Sequence, residues 1–142
     1  MKKFNKLFFC LSVILLSSCS QNNSPASLEA RHYVYRSLDD SNPNYKTHIY
    51  NSIQSMTPFF DQFYQEGKID KLSGLSVDDA KNKMQMLESD EYINSIISKS
   101  KDYYISPKVQ TIDIDSKNFS EKRKKYLTNG IINMYKKGYY GT

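Results

Sequence analysis

The stretch YKTHIYNSIQSMTPFFDQFYQEG, residues 45–67, has the strongest helical pattern in the chain. Its large apolar residues recur at steps of three and four, which places them along one side of an α-helix. They are Tyr45, Ile49, Ile53, Met56, Phe60 and Phe63. Pro58 removes one backbone donor, yet the stripe keeps its phase across the proline, so we expect one kinked helix. The alternative is a new helix with Thr57 as its cap and Pro58 at its first position.

On the N-terminal side of this stretch, residues 28–38 fit two patterns. In a strand, Tyr33 and Tyr35 would lie on one face and His32, Val34 and Arg36 on the other. In a helix, every third or fourth side chain would lie on one face. The helical set is Leu28, Arg31, Tyr35 and Leu38. We favour a helix, because Ser27 can cap its first turn. The polar residues 39–43 then form a break.

Beyond residue 67 the sequence predicts two shorter helices. Ser76 followed by Asp79 resembles a capping box, with Asp in the place of the usual Glu. The polar residues 89–91 then indicate the start of the second of these helices. Residues 103–114 could form a short β-hairpin around a proline, or could cross the surface as an irregular segment.

A final helix is expected near the C-terminus. Asn118 and Glu121 make a capping pair at its start, and Gly138, which follows two lysines, fits a C-cap. Arg123 falls on its apolar face, so the stem of this side chain should pack there while the guanidinium reaches the rim. The sequence therefore predicts a mainly α fold: a small single-domain bundle of four or five helices, with the possible hairpin at 103–114.

The N-terminus has the parts of a secretory signal. Three lysines precede a ten-residue apolar run at 7–16, and small residues follow it. A transmembrane helix needs about twenty apolar residues, so we predict that residues 1–18 are a signal peptide that is removed. The residues at the exit resemble the lipobox of bacterial lipoproteins, and they are Leu16, Ser17, Ser18 and Cys19. The resemblance implies that Cys19 carries acyl chains, of which two or more anchor a protein stably.

The mature chain divides into a tether and a domain. Residues 19–27 contain the lipidated cysteine and a polar, uncharged, turn-rich linker. Residues 28–142 form one helical domain of ordinary size. Because Ser20 and not an acidic residue follows Cys19, the chain resembles lipoproteins of the outer membrane. We therefore expect a lipid-anchored protein of the cell envelope, at the outer membrane and facing either the periplasm or the cell surface.

The composition of the mature chain bears on its charge and on its disulfides. The full chain has a formal charge of +5, but three of its twenty Lys and Arg residues lie in the signal, which leaves 17 against 15 acidic residues, or +2. The basic charge is thus mostly a property of the signal. Cys10 lies in the removed segment and Cys19 is consumed by lipid, so the domain must be stabilised by its core and not by disulfides.

We find no motif for catalysis or metal binding in the sequence. His32 and His48 are not followed by a second histidine or a carboxylate three or four residues later, and there is neither a G-x-S-x-G elbow nor a glycine-rich phosphate loop. The basic residues 122–125 fan around a helix at about 100° per residue and make no continuous stripe for nucleic acid. We expect no enzymatic activity, no cofactor, no metal ion, no nucleic-acid partner and no small-molecule substrate.

Tyrosine is the unusual component of the chain. All twelve tyrosines lie in the mature part, which has four phenylalanines and no tryptophan. Tyrosine and arginine are enriched at protein interfaces, where they bind most strongly. The candidate partner-binding residues are Arg31, Tyr33, Tyr35 and Arg36. Packing in the core is the alternative for each of these tyrosines.

Two segments resemble the Exc-type lipoprotein family of enterobacterial plasmids and chromosomes. The first is RHYVYR at 31–36, followed by NPNY at 42–45; the second is GLS at 74–76, followed by Asp79 and Ala80. The resemblance covers the lipobox and about residues 31–87, with an echo at 138–141. It implies a small envelope lipoprotein that lowers the uptake of a related plasmid by a recipient already carrying one. It implies no cofactor and no catalytic residue.

A binding mechanism is consistent with this resemblance. A domain on a short lipid tether could occlude or misdirect a component of the mating apparatus at the recipient surface. The alternative is an outer-membrane assembly factor of the pilotin kind, which carries a subunit of a secretion or envelope complex in a groove between amphipathic helices. A concave apolar groove would favour the assembly factor, and a flat tyrosine-rich patch would favour exclusion.

Overall fold

The computed structural model describes residues 24–38, 48–99 and 119–141. These residues form five α-helices and contain no strand. The helices are α1 (Pro25–Ser37), α2 (Ile49–Leu72), α3 (Val77–Glu88), α4 (Asp90–Lys99) and α5 (Glu121–Tyr140). The expected mainly α bundle is confirmed. The predicted hairpin at 103–114, the signal and Cys19 lie outside the described residues.

Helix α1 confirms the helical alternative for its segment, but it begins earlier than expected. Ser24, and not Ser27, is the N-cap, and its side-chain oxygen accepts a hydrogen bond from the backbone N–H of Ser27 at 3.1 Å. Pro25 occupies the first helical position, where its fixed φ suits the helix and no backbone donor is needed. Residues 25–27, predicted as part of the tether, therefore belong to α1.

Helix α2 is continuous through Pro58, as the phase of its apolar stripe predicted. The hydroxyl of Thr57 donates to the carbonyl oxygen of Ile53 at 2.8 Å, one turn earlier in the helix. Phe60 and Phe63 are fully buried. The stripe thus forms one continuous contact surface for the other helices.

Helices α3 and α4 begin at the predicted polar residues. The hydroxyl of Ser76 accepts the N–H of Asp79 at 3.1 Å and donates to its carboxylate at 2.6 Å. Ser89 has an extended backbone, so α3 ends there and α4 starts one residue later. Its hydroxyl donates to the carbonyl of Met86 at 2.8 Å and accepts the N–H of Tyr92 at 3.3 Å.

Helix α5 differs from the prediction at both ends. Its N-cap is Ser120, whose hydroxyl accepts the N–H of Arg123 at 3.1 Å. The prediction that Gly138 ends the helix is wrong, because α5 continues to Tyr140 and Gly141 takes the left-handed conformation with φ of 75°. Gly138 is instead a buried residue inside the helix. A glycine is needed at this position because the neighbouring helix leaves no room for a side chain, and not because the helix ends there.

The backbones of α2 and α5 touch at a pair of glycines. A Cβ placed on Gly67 would lie 2.8 Å from the backbone nitrogen of Tyr139, and one on Gly138 would lie 2.9 Å from the carbonyl carbon of Tyr64. Real Cβ atoms do not approach other atoms so closely. Eight residues before Gly138, Gly130 lies against the ring of Phe60 in the same way. The two helices therefore run parallel and pack along their length.

The remaining helices cover this pair. Helix α1 runs opposite to α2 and packs on both α2 and α5, whereas α3 packs on α5 and α4 on α3. All five helices contribute to one core, whose largest fully buried side chains are Tyr135, Tyr139, Phe60 and Phe63. In the described ranges no helix has the length and apolar character needed to cross a membrane.

We predict that Gly138→Ala lowers the free energy of unfolding by about 3 kcal/mol, because the added methyl group overpacks the crossing. Helix propensity alone would give the opposite sign, since alanine is favoured over glycine in a helix by about 1 kcal/mol. Urea unfolding measures the difference. Lys136→Ala, at an exposed position of the same turn, is the control. A more stable Gly138→Ala protein would contradict the close crossing.

Candidate partner-binding surface

Three of the four predicted partner-binding residues are exposed on α1. Arg31, Tyr35 and Arg36 face solvent, and 54% of Tyr35 is exposed. Leu28, also exposed, precedes Arg31 by three residues, and Tyr35 follows Arg31 by four. This spacing aligns Leu28, Arg31 and Tyr35 in one row, which we call the α1 face. It combines an apolar, a cationic and an aromatic side chain, as protein-binding surfaces do.

The fourth residue, Tyr33, lies in the core. Only 4% of it is exposed, and its ring meets that of Phe60 edge to face at 5.8 Å. Its hydroxyl accepts a hydrogen bond from Nε of Arg123 at 3.3 Å. Tyr33 therefore joins α1 to α2 and α5, and it does not belong to the exposed surface.

A cluster of two cations around Tyr126 borders the α1 face. The guanidinium carbon of Arg36 lies 5.9 Å from the centre of the Tyr126 ring, and Nζ of Lys122 lies 6.0 Å from it. Cations at such distances are attracted weakly to the ring, by about 0.5–1 kcal/mol when exposed. The contact places Arg36 beside the α1 face. Sequence reasoning missed Tyr126 and Lys122, because nothing local signals a contact with a residue about ninety positions earlier.

Arg123 is oriented inward more than the sequence predicted. It is half-buried, and its guanidinium carbon lies 4.7 Å from the centre of the Phe119 ring. Its Nε donates to Tyr33, as described above. The stem packs as expected, while the head supports the core at the start of α5. The basic residues 122–125 thus point in different directions, and Lys124 pairs with Glu121 at 2.7 Å.

On the other side of the bundle, a polar network joins α2, α3 and α5. The carboxylate of Asp70 accepts hydrogen bonds from Nζ of Lys83 and from the hydroxyl of Tyr135, both at 2.7 Å. Lys83 also pairs with Glu66 at 2.7 Å. Burial alone would raise the pKa of Asp70, but the hydrogen bonds from Lys83 and Tyr135 and the charge of Lys83 lower it below its ordinary value.

The chemistry of this network is that of a structural clamp. Burial, the hydrogen bond to Asp70 and the negative charge of Asp70 raise the pKa of Tyr135 well above its usual range. The phenol therefore stays protonated and donates. Burial would lower the pKa of Lys83, but its hydrogen bonds with Asp70 and Glu66 and their charges raise it, so this amine stays charged. Tyr135 and Lys83 thus remain donors, and Asp70 remains the charged acceptor of both hydrogen bonds.

Glu29 is a buried acid that the sequence patterns did not single out. It lies between α1 and α5, near Gly130, and only 7% of it is exposed. Burial raises its pKa above the ordinary value of 4.5, and the charges of Lys137, His32 and Arg36 offset this only in part. Local patterns gave no signal for it, because the helical row chosen from the sequence, with Leu28, Arg31 and Tyr35, is the exposed side of α1.

Among the described residues, no group of three or more His, Cys, Asp and Glu side chains could hold a metal ion. His32 and His48 are both exposed. Cys19 and the lipobox residues Leu16, Ser17 and Ser18 lie outside the described residues. Comparisons of the chain with protein-family models, with curated proteins and with solved structures found no match.

We predict that Asp70→Asn lowers the free energy of unfolding at pH 7 by about 2 kcal/mol, because it removes a charged partner of Lys83. The pKa of Asp70 is lowered in the folded protein, so its charged form stabilises the fold above the ordinary value of 3.8. That stabilisation is lost as the pH falls through the folded-state pKa. The difference between the proteins should therefore shrink in acid.

Urea unfolding at a series of pH values tests this. The matched control is Asp61→Asn, since among the described residues Asp61 bonds only its helix neighbour Gln65, at 3.3 Å. An equal loss from both substitutions, or a difference from wild type that persists at the lowest pH, would show that Asp70 is an ordinary surface acid.

We predict the opposite sign for Glu29→Gln, which should raise the free energy of unfolding at pH 7. The raised folded-state pKa means that the wild-type carboxyl favours folding fully below 4.5 and that this contribution disappears as the pH rises through the folded value. The two proteins should therefore converge in acid. Glu88→Gln, at an exposed position, serves as control. A less stable Glu29→Gln protein at pH 7 would mean that the charge of Glu29 is satisfied.

Proposed function

We propose that this protein is a lipid-anchored protein of the cell envelope that acts by binding another protein, and that its effect is the exclusion of incoming plasmids. The observation that carries the proposal is the exposed α1 face, with Leu28, Arg31 and Tyr35 in one row beside Arg36. The segment 31–36, which resembles exclusion-associated lipoproteins, includes Arg31, Tyr35 and Arg36 but not Leu28. The partner is a component of the mating apparatus at the recipient surface.

The anchoring step of the proposal rests on the sequence of the signal and on the start of α1. Lipid on Cys19 would attach the protein to the outer membrane, by a tether that the helical start at Pro25 shortens. Four residues separate Cys19 from the cap Ser24, and the five residue-to-residue steps span at most about 17 Å. The domain would therefore stay near the membrane, within reach of a membrane-embedded apparatus.

The binding step uses exposed side chains whose ordering costs little entropy. Tyr35 offers a large surface with few rotatable bonds, and Arg36 is drawn weakly toward Tyr126, which lowers the side-chain entropy lost on binding. An acidic or aromatic surface is the complement to this combination. The mechanism needs no cofactor, no nucleic acid, no small-molecule substrate and no catalytic step.

The shape of the α1 face supports exclusion over the assembly-factor alternative. A pilotin-like protein would hold an amphipathic segment of its partner in a concave apolar groove. Leu28, Arg31 and Tyr35 instead occupy the outer, convex side of a single helix. Such a surface suits docking against a flat region of a larger assembly.

Conjugation into recipient cells that express the protein tests the proposal. We expect the frequency of plasmid uptake to fall with wild type and not with Cys19→Ala, which cannot be lipidated. The double substitution Arg31→Ala with Tyr35→Ala should restore uptake by about tenfold or more, since a binding hot spot contributes at least about 1.4 kcal/mol.

The matched control is Tyr50→Ala. Tyr50 is 71% exposed, more than Tyr35, but it lies on α2, and its hydroxyl accepts a hydrogen bond from Gln54 of its own helix. This variant should exclude plasmids as wild type does. If wild type lowers the uptake of none of several related plasmids, exclusion is not the function, and the assembly-factor hypothesis takes its place.

A further inference from the structure

Apolar side chains are exposed at the end of the bundle where α2 and α5 finish. Leu72 is 84% exposed and Ile69 is 63% exposed, the highest values for aliphatic side chains in the described residues. Val77 at the start of α3 and Tyr140 at the end of α5 are also exposed. The hydroxyl of Tyr139 donates to the carbonyl of Leu75 at 2.6 Å, which holds the α2–α3 turn against the end of α5.

The start of α1 lies toward this same end. Glu29 of α1 lies against Gly130 of α5, whereas Arg36, further along α1, lies against Tyr126. Helix α1 therefore runs opposite to α5, and Pro25, four residues before Glu29, lies about 6 Å beyond the level of Gly130 toward this end. Gly138 lies about 12 Å beyond the level of Gly130, and Leu72 lies further still toward the end of the bundle.

The chain that leads to Cys19 therefore leaves the domain toward the end with the exposed apolar residues. The tether of about 17 Å is longer than the distance along the bundle from the level of Pro25 to that of Leu72, which is about 14 Å. If Cys19 carries lipid, Leu72 can reach the membrane surface without any change in the helices. The opposite end, where Arg36 contacts Tyr126, then faces away from the membrane.

The charges at this end suit lipid headgroups. Lys68 and Lys71 flank Ile69 and Leu72, and both are exposed, with their amines 5.6 Å and 5.0 Å from the ring centres of Tyr64 and Tyr139. Such side chains can extend their amines toward phosphates while their stems cover apolar surface.

Much of the acidic charge at this end already has a partner in the domain. Asp78 pairs with Lys81 at 3.0 Å, and the carboxylate of Asp79 accepts the hydroxyl of Ser76 at 2.6 Å. Asp70 is bound by Lys83 and Tyr135. The lysines beside Leu72 thus remain for external anions.

We propose that the end formed by Ile69, Leu72, Val77 and Tyr140 lies on the bilayer that holds Cys19, with Leu72 in the boundary between headgroups and acyl chains and the lysines on anionic phosphates. This inference rests on the proposed lipidation. It adds an orientation: the domain stands on this end, and the cluster of Arg36, Lys122 and Tyr126 is held away from the membrane for its partner.

Site-specific spin labels test the orientation in the full-length lipidated protein, reconstituted in vesicles of phosphatidylethanolamine and phosphatidylglycerol. With Cys10 removed and Cys19 acylated, a cysteine introduced by Leu72→Cys is the one free thiol. We expect its label to collide often with oxygen and rarely with a water-soluble nickel chelate. The control Tyr50→Cys, near the opposite end, should show the reverse. Equal access of the chelate to both labels would overturn the proposal.

Two further readouts separate the possible failures. Dipolar broadening between Leu72→Cys labels in different molecules would show that a second copy covers this end, which also overturns the proposal. The mass of the mature N-terminus reports lipidation independently. Should Cys19 carry no lipid, the labels are measured again in a Cys10→Ala, Cys19→Ala protein mixed with the same vesicles. Shielding of the Leu72→Cys label there would support the membrane contact without the anchor, and full chelate access would overturn it.

Discussion

The direct backbone contact between α2 and α5 is the constraint on which the structure depends. Gly67 and Gly138 allow the two longest helices to meet with no side chain between them. Close contact along this seam fixes the levels at which Phe60 meets Gly130 and Tyr139 meets Leu75. Helices α1 and α3 then pack on a pair whose geometry is already set. A helix pair without these glycines would lie further apart and could not be covered in the same way.

The polar contacts secure the helices that the glycines do not touch. Asp70, Lys83 and Tyr135 join α2, α3 and α5 on one side, and Tyr33 with Arg123 joins α1 to α5 on the other. Each contact is shared between elements far apart in sequence, so it is formed only when the bundle has assembled. The proposed binding face on α1 and the proposed membrane contact lie on the outside of this framework, and their residues make none of these polar contacts.

The features that could be predicted from the sequence are those that depend on residues close together in the chain. The apolar stripe identified α2 as one helix across Pro58, and Ser76 and Ser89 marked the starts of α3 and α4, because capping depends on neighbouring residues. Gly138 was misassigned because two lysines before a glycine are also the pattern of a C-cap, and its true role depends on Tyr64 of another helix. For the same reason the sequence could propose Tyr33 and Tyr35 together but could not tell which one is buried.

Native-state hydrogen exchange tests the central claim most directly, because it measures the free energy of opening at each amide. If the α2–α5 crossing holds the fold together, the slowest amides should be those of Tyr64 to Lys68 and of Tyr135 to Tyr139. Amides of α4, which packs mainly on α3, should exchange faster. Amides at the crossing that exchange faster than those of α3 and α4 would contradict the account.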